Sequence, residues 1–328
     1  MSEAQNASLN EIGDALRAAD SIVLLAHVRP DGDAIGSEVA LGSSLRALGK
    51  DVVVMNEDGC PESLAFLPES DSVVRPGGAA LTPDLCVALD TANRPRLGSG
   101  CLAASSAAGK VINIDHHISN ERYGDLVHVD AESPATGQIV FELIKANGFP
   151  LTDAARDNLF VAISTDTGSF RYPATTARTY EVIAELVRAG ADVGALSQAV
   201  YERYPFRRVE LLHDLLGKLK MTADSRVASW SLDLATKDRL SLKPDDSENL
   251  TDVIRAVDTV VVAVFFEELR GGTIRVSMRS KDAGAANVCE ICRHFGGGGH
   301  ALAAGARVEG DLAEVSEQVL TKIHQTLS

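Results

Sequence analysis

The chain is 328 residues long, 45% hydrophobic and 23% charged, the composition of a soluble globular protein of roughly two domains. Its 46 acidic and 31 basic residues leave a formal charge of −15, which repels a long polyanion unless basic residues are gathered locally and argues against an undirected nucleic-acid clamp. No apolar run reaches the roughly 18 residues of a membrane span, and the opening MSEAQNASLNEIGDAL lacks the basic and apolar stretches of a secretory signal, so a cytoplasmic protein with no membrane partner is expected.

In chain order, SIVLLA at 21–26 predicts a buried strand, followed by a polar loop and a helix-period segment over 34–48 that stops at Gly49. Short apolar runs recur at 52–55, 85–89 and 111–114. Being continuous rather than alternating, they predict a parallel sheet covered on both faces. Helices are predicted over 135–146, 154–163 and 179–188, the last closed by Gly190. Residues 195–219 are helix-like and interrupted at Pro205. Beyond them, 226–234, 259–267 and 273–279 alternate apolar and polar residues or are β-branched, with Gly271 and Gly272 turning a hairpin between the last two. The predicted architecture is α/β: an N-terminal parallel-sheet domain over 1–190, a helical linker over 191–220 and a smaller α+β domain over 221–328.

Four of the N-terminal apolar runs end in residues that can bind a metal. They are His27, Asp31 and Asp33 after the first, Asp90 in VALD, Asp115, His116 and His117 in NIDHH, and Asp166 in ISTDTGSF. In an open α/β sheet, ligands bind outside the carboxyl ends of the strands, so four such endings converge. Asp31 and Asp33 flank Gly32 in what reads as an irregular loop, where side chains two apart diverge and can address two ions, with Asp90 able to bridge them. Each carboxylate alone is as readily a cap or a turn former. The set points instead to a pair of divalent cations, which can hold a nucleophile and a phosphoryl oxygen together. Carboxylates with a minority of imidazoles favour Mn²⁺ or Mg²⁺, and the imidazoles tilt the choice towards Mn²⁺. No Gly-x-Gly-x-x-Gly follows the first strand, so no dinucleotide cofactor is implied.

HVRPDGDAIGS at 27–37, ALDTA at 88–92, DHH at 115–117 and STDTGSF at 164–170 resemble the four ordered motifs of the DHH phosphoesterase superfamily. RVSMRSK at 275–281 and FGGGGHALAAGA at 295–306 resemble the DHH-associated C-terminal domain of RecJ-type exonucleases and, in this compact form, of the bacterial oligoribonuclease and phosphoadenosine-phosphate phosphatase branch. The resemblance implies one manganese held by His27, Asp31 and Asp90 and a second held by Asp33, Asp90, His116 and Asp166. It makes His117 a phosphate-facing catalytic group beside the bridging Asp90. Asp115 is then an acceptor behind the metals that orients a ligand histidine.

In the C-terminal domain, Gly296, Gly297, Gly298 and Gly299 offer backbone N–H groups unshielded by side chains, an anion nest with His300 beside it as a donor. Arg279 ends a strand and can make a bidentate contact with a phosphate. Arg275 shares its strand face, so one of the two can bind while the other is solvated. Cys289 and Cys292, a lone CxxC, read as core, and the five scattered cysteines of the chain read as free thiols.

These readings predict a manganese-dependent phosphodiesterase and exoribonuclease that cuts very short RNA to 5′-mononucleotides, with 3′-phosphoadenosine 5′-phosphate as a second substrate. Affinity for nucleic acid grows with the number of phosphates neutralised, so an acidic chain with one small basic pocket suits few-phosphate substrates such as dinucleotides and not long nucleic acid. Cyclic dinucleotides or their linear products are the alternative substrate. A manganese pyrophosphatase would end in a lysine- and arginine-rich signature rather than GGGGH, and a non-catalytic nucleotide-binding module would lack metal ligands. The sequence is silent on oligomeric state, a homodimer being among the arrangements it allows.

Overall fold

In the computed structural model, which describes residues 6–77 and 81–327, the chain divides into two units, Met1–Arg203 and Tyr204–Ser328. The first begins with α1 (Leu9–Ala18), β1 (Ser21–Leu25), α2 (Gly32–Ala47), β2 (Asp51–Met55), β3 (Val73–Val74), β4 (Leu85–Leu89) and α3 (Ser99–Ala107). It continues with β5 (Lys110–Asp115), β6 (Leu126–Val129), α4 (Thr136–Asn147), α5 (Asp153–Asp166), α6 (Ala177–Arg188) and α7 (Val193–Tyr201). Its strands pair in parallel in the order β3-β2-β1-β4-β5-β6. The order therefore reverses between β1 and β4, and the crevice beyond their carboxyl ends is the switch point at which such sheets bind ligands.

The predicted parallel sheet is present, and strand β4 is buried throughout, as its unbroken apolar run requires. Strand β6 was not predicted, because LVHV is too short and too mixed to stand out from its polar flanks. Helix α1 is amphipathic, burying Ile12 and Leu16, and is opened by a capping box between Ser8 and Glu11.

Helix α2 is enclosed from Gly32 to Leu45. Such a helix needs neighbours that approach closely, and small residues allow it. A Cβ on Gly36 would stand 2.6 Å from the Asn158 carbonyl oxygen and 2.9 Å from Ala162 Cβ in α5, and one on Gly137 of α4 would stand 2.6 Å from the same Ala162 Cβ. Helices α2, α4 and α5 thus meet at Gly36, Gly137 and Ala162, on the side of the sheet packed with Ile35, Val39, Ile139 and Leu159.

The stretch predicted as a linker is split at the unit boundary. Helix α7 falls in the first unit, and α8 (Phe206–Gly217), entered through extended Pro205, falls in the second. Next come β7 (Lys220–Met221), β8 (Val227–Leu232), α9 (Leu234–Arg239), α10 (Thr251–Arg255), β9 (Val262–Leu269) and β10 (Thr273–Ser280). The chain ends with α11 (Val288–His294), β11 (Gly298–His300), β12 (Ala303–Glu309) and α12 (Leu312–Leu327). The strands form a mixed sheet in the order β11-β12-β10-β9-β8-β7, parallel only between β8 and β9. Gly271 and Gly272 take φ of +94° and +76° in the predicted hairpin turn. Trp230, Cys289 and Cys292 are core residues of this unit.

Replacing Gly36 with alanine should destabilise the protein by about 1–3 kcal/mol, because the clash with the Asn158 carbonyl outweighs the roughly 1 kcal/mol that alanine gains in helix propensity. The midpoint of urea unfolding reads this directly. An unchanged or raised midpoint would mean that α2 and α5 do not meet at this glycine.

Candidate metal and phosphoester site

Residues from five elements converge at the switch point. His27 follows β1, Asp90 follows β4, and Asp115, His116 and His117 close β5, as the sequence motifs lead one to expect. The other two carboxylates arrive differently. Asp31 is the N-cap of α2, accepting from the Asp33 and Ala34 amides, and Asp33 lies in the first helical turn instead of an irregular loop. Asp166 is the last residue of α5, a helix end and not a strand end. Their side chains reach the same crevice because α2 and α5 are packed against each other at Gly36.

The nitrogens and oxygens form two adjoining groups. His27 Nε2 lies 3.8 Å from Asp31 Oδ1 and 3.3 Å from Asp90 Oδ2. His116 Nε2 lies 3.8 Å from Asp33 Oδ2, 3.4 Å from Asp90 Oδ1 and 3.3 Å from Asp166 Oδ2. Asp90 therefore turns one oxygen to each group. Atoms that share an ion at roughly 2.0–2.2 Å stand about 3–3.6 Å apart, and the three contacts of 3.3–3.4 Å fall in that range, with the two of 3.8 Å just beyond it.

The ring orientations also fit. His27 Nδ1 is 2.9 Å from the Val28 carbonyl and His116 Nδ1 is 3.2 Å from that of Ser133. A neutral ring that donates from Nδ1 presents the Nε2 lone pair to the carboxylates, the tautomer a metal ligand needs.

Asp115, fully enclosed, was expected to orient a ligand histidine, but the ring it holds is that of His117, whose Nδ1 donates to Oδ1 at 2.7 Å. Its contact with His116 is through the backbone amide, at 2.9 Å. Its second oxygen accepts from Asn120 Nδ2 at 2.6 Å, and Asn120 in turn reaches Asn113. Sequence reasoning missed Asn120, Ser133 and Thr136, since each lies in a polar loop or at a helix start where such residues serve ordinary turns.

Electrostatics separates the carboxylates. Burial raises Asp33 well above the usual range, and the nearby Asp90 and Asp166 charges add to it. Burial likewise lifts Asp166 to about 6, with His116 opposing and Asp31 and Asp90 reinforcing. Burial would raise Asp90 too, but the imidazoles of His116, His27 and His117 hold it well below the carboxylate range. Burial disfavours charge on His27 and His116, yet the carboxylates around them win and both are raised, His116 well above its ordinary value. With its carboxylates outnumbering its imidazoles, the cluster favours positive charge, a cation's or a proton's.

In the second unit, β12 lies between β10 and β11, and Ala303 is in register with both Arg279 and His300. Side chains in one row of a sheet share a face. The next row joins Ser277, Gly305 and Gly298, so this face is a shelf of small residues edged by Arg279 and His300. Arg279 Nε is 3.9 Å from Asp252 Oδ1, longer than a hydrogen bond. Arg275 is engaged otherwise: its Nε pairs with buried Glu267 at 2.6 Å and its Nη2 donates to Ser247. The glycine run divides its labour. The Gly296 and Gly297 amides donate to Arg293 and Cys292 carbonyls and close α11, so they are not part of a four-amide nest. Gly299, at φ +137°, allows β11 to approach β12, where a Cβ would stand 2.6 Å from the Ala303 carbonyl oxygen.

Residues 21–163 match the family model of the DHH family N-terminal domain and 232–328 that of the DHHA1 domain. The chain belongs to the DHH family. It is 35% identical over 326 residues to the bifunctional oligoribonuclease and PAP phosphatase NrnA of Thermus thermophilus, a span of 97% of this chain and 94% of that protein. It is 30% identical over 291 residues to the probable bifunctional oligoribonuclease and PAP phosphatase NrnA of Streptococcus mutans, covering 89% and 90%. A crystal structure of an exopolyphosphatase-related protein from Bacteroides fragilis aligns with a TM-score of 0.85 at 26% identity, over 97% of this chain and 95% of that one.

The raised groups make the metal-free protein pH-sensitive in a defined direction. Asp166, Asp33, His27 and His116 all bind protons more tightly folded than unfolded, so the stability they confer is complete at low pH and is lost as pH rises through their folded values. Asp90 and Asp115 act oppositely, but only as pH falls below the carboxylate range. Metal-stripped protein should therefore melt at a lower temperature at about pH 8 than at about pH 6, and Mn²⁺ should raise the melting point more at the higher pH. A stabilisation by Mn²⁺ that shrinks as pH rises would contradict this account.

Proposed function

We propose that the protein is a metal-dependent phosphoester hydrolase that degrades RNA a few nucleotides long to 5′-mononucleotides and dephosphorylates 3′-phosphoadenosine 5′-phosphate. The observation that carries the reading is the pair of carboxylate and imidazole groups sharing Asp90, in a chain so similar along its length to an oligoribonuclease and PAP phosphatase. The first unit is read as the catalytic domain and the second as the substrate domain. In this reading His27, Asp31 and Asp90 hold one manganese and Asp33, Asp90, His116 and Asp166 a second, with Mg²⁺ the alternative. When bound, such a cation pair neutralises phosphoryl charge and acidifies the attacking water.

The chain's own groups do the rest. With Nδ1–H donated to Asp115, proton transfer from His117 to a leaving oxygen runs through Nε2, and the Asp115 carboxylate stabilises the ring while it is charged. Arg279 and His300 are read as binding a phosphate or nucleotide of the substrate. A shelf with one arginine favours substrates of few phosphates. A cytoplasmic location accords with such substrates; among the described residues no helix is long and apolar enough to cross a membrane.

The test is a product time course with Mn²⁺ on a dinucleotide, a longer RNA, a cyclic dinucleotide and phosphoadenosine phosphate side by side. Fast release of mononucleotides from the dinucleotide and of phosphate from phosphoadenosine phosphate supports the proposal, whereas a preference for the cyclic substrate replaces it with a cyclic-dinucleotide phosphodiesterase. Asp90→Ala should leave less than a tenth of either activity at saturating Mn²⁺, since both cations lose the carboxylate they share.

Arg279→Ala should lower kcat/KM for a dinucleotide roughly thirty- to hundredfold, about 2–3 kcal/mol of charge-assisted contact. Bis-p-nitrophenyl phosphate, which has no second phosphate, should be affected far less. Equal losses on both substrates would remove the phosphate-binding role from Arg279.

A further inference from the structure

One residue that the motifs pass over is bonded to two of the clustered carboxylates. Thr136, fully buried, is the first residue of α4, a helix whose N-cap position is Ala135 and therefore offers no side-chain acceptor. Asp33 supplies it from α2 instead. The Thr136 amide donates to Asp33 Oδ2 at 2.7 Å, the Gly137 amide donates to Asp33 Oδ1 at 2.8 Å, and the Thr136 hydroxyl donates to Asp90 Oδ1 at 3.1 Å. A carboxylate that accepts two amides at a helix N-terminus is fixed in its plane, and its charge is favoured by the helix dipole. Glycine is required beside it, because a Cβ at 137 would stand 3.3 Å from Asp33 Oδ1 as well as against Ala162.

The hydroxyl does for Asp90 what the amides do for Asp33. Asp90 Oδ2 faces His27 at 3.3 Å and Oδ1 faces His116 at 3.4 Å, so rotation about the Cβ–Cγ bond would withdraw an oxygen from each imidazole. A hydrogen bond to Oδ1 from the wall of the pocket opposes that rotation.

We infer that Thr136 is a positioning residue of the metal site: its hydroxyl sets the plane of the shared Asp90 carboxylate and its amide that of Asp33, so the start of α4 orients ligands of both groups at once. The inference rests on the metal reading of the site proposed above. A hydroxyl that only satisfied a buried acceptor would matter to folding and not to metal affinity. One that orients a ligand should matter to affinity, by the roughly 10–100-fold typical of such outer partners.

Thr136→Val keeps the shape and both amide bonds and removes only the hydroxyl, while Thr136→Ser keeps it. Mn²⁺ is titrated calorimetrically into the metal-stripped full chain, and the melting point of each metal-free form is measured alongside. The expected result is a Mn²⁺ affinity weakened about 10–100-fold in Thr136→Val, wild-type affinity in Thr136→Ser, and metal-free melting points within a few degrees of one another. Should the valine methyls prevent folding, Thr136→Ala carries the same expectation. Wild-type affinity in a folded hydroxyl-less variant, or failure of serine to restore it, overturns the inference alone. A wild-type chain that binds no Mn²⁺ overturns the metal reading and this inference with it.

Discussion

Asp90 is a carboxylate with 2% of its surface exposed, and it stays ionised because three imidazoles surround it. A carboxylate buried alone would take up a proton or cost several kcal/mol to keep charged. Bringing His27, His116 and His117 to it requires β4 to lie between β1 and β5, and that is the observed order, beside the point where the strand order reverses. The chain reaches this point with Asp90 at φ +51°, a left-handed conformation that aspartate tolerates better than most residues and that is characteristic of functional sites. Its amide is still satisfied, donating to the Ile114 carbonyl of the neighbouring strand.

The helices complete what the strands begin. Both α2 and α4 point their N-termini at the cluster, and Asp33, inside the first turn of one and accepting from the first amides of the other, lies where helix dipoles favour negative charge. Asp166 sits at the opposite end of its helix, where the dipole disfavours a carboxylate, and this acts in the same direction as the burial that lifts it to about 6. Burial raises both acids flanking His116, and the helix dipoles oppose that rise at Asp33 while adding to it at Asp166. The closeness of these acids depends on the glycine and alanine contacts between α2, α4 and α5, so helix packing sets the geometry of the site.

The second unit separates two arginines that look alike in sequence. Arg275 and Arg279 occupy the same face of β10, but Arg275 lies directly across from Glu267 on β9 and is held with it among Lys237 and Ser247. An enclosed arginine with its carboxylate partner is a structural ion pair, and removing one member would strand the other. Arg279, four residues further along the same strand, lies across from Ala263 and Ala303, and Asp252 Oδ1 stands 3.9 Å from its Nε, beyond hydrogen-bond reach. Methyl groups and bare backbone beside it make the open shelf.

The sequence alone determined the α/β class, the runs that form the core of the parallel sheet, the hairpin at Gly271 and Gly272, and the list of metal-capable residues. Each of these is encoded locally, in the length and continuity of an apolar run or in the residues directly after it. It did not determine that Asp31 caps a helix while Asp33 lies within it, that Asp166 ends a helix, that Asp115 holds His117 and not the ring of His116, or that half of the glycine run closes α11. Nor did it pick out Thr136, which is an ordinary threonine at a helix start until Asp33 and Asp90, 103 and 46 residues away, are folded against it. Those facts depend on strand order and helix packing, which bring together groups far apart in the chain. Residue type restricts which bonds a group can make, and only the tertiary structure chooses its partner.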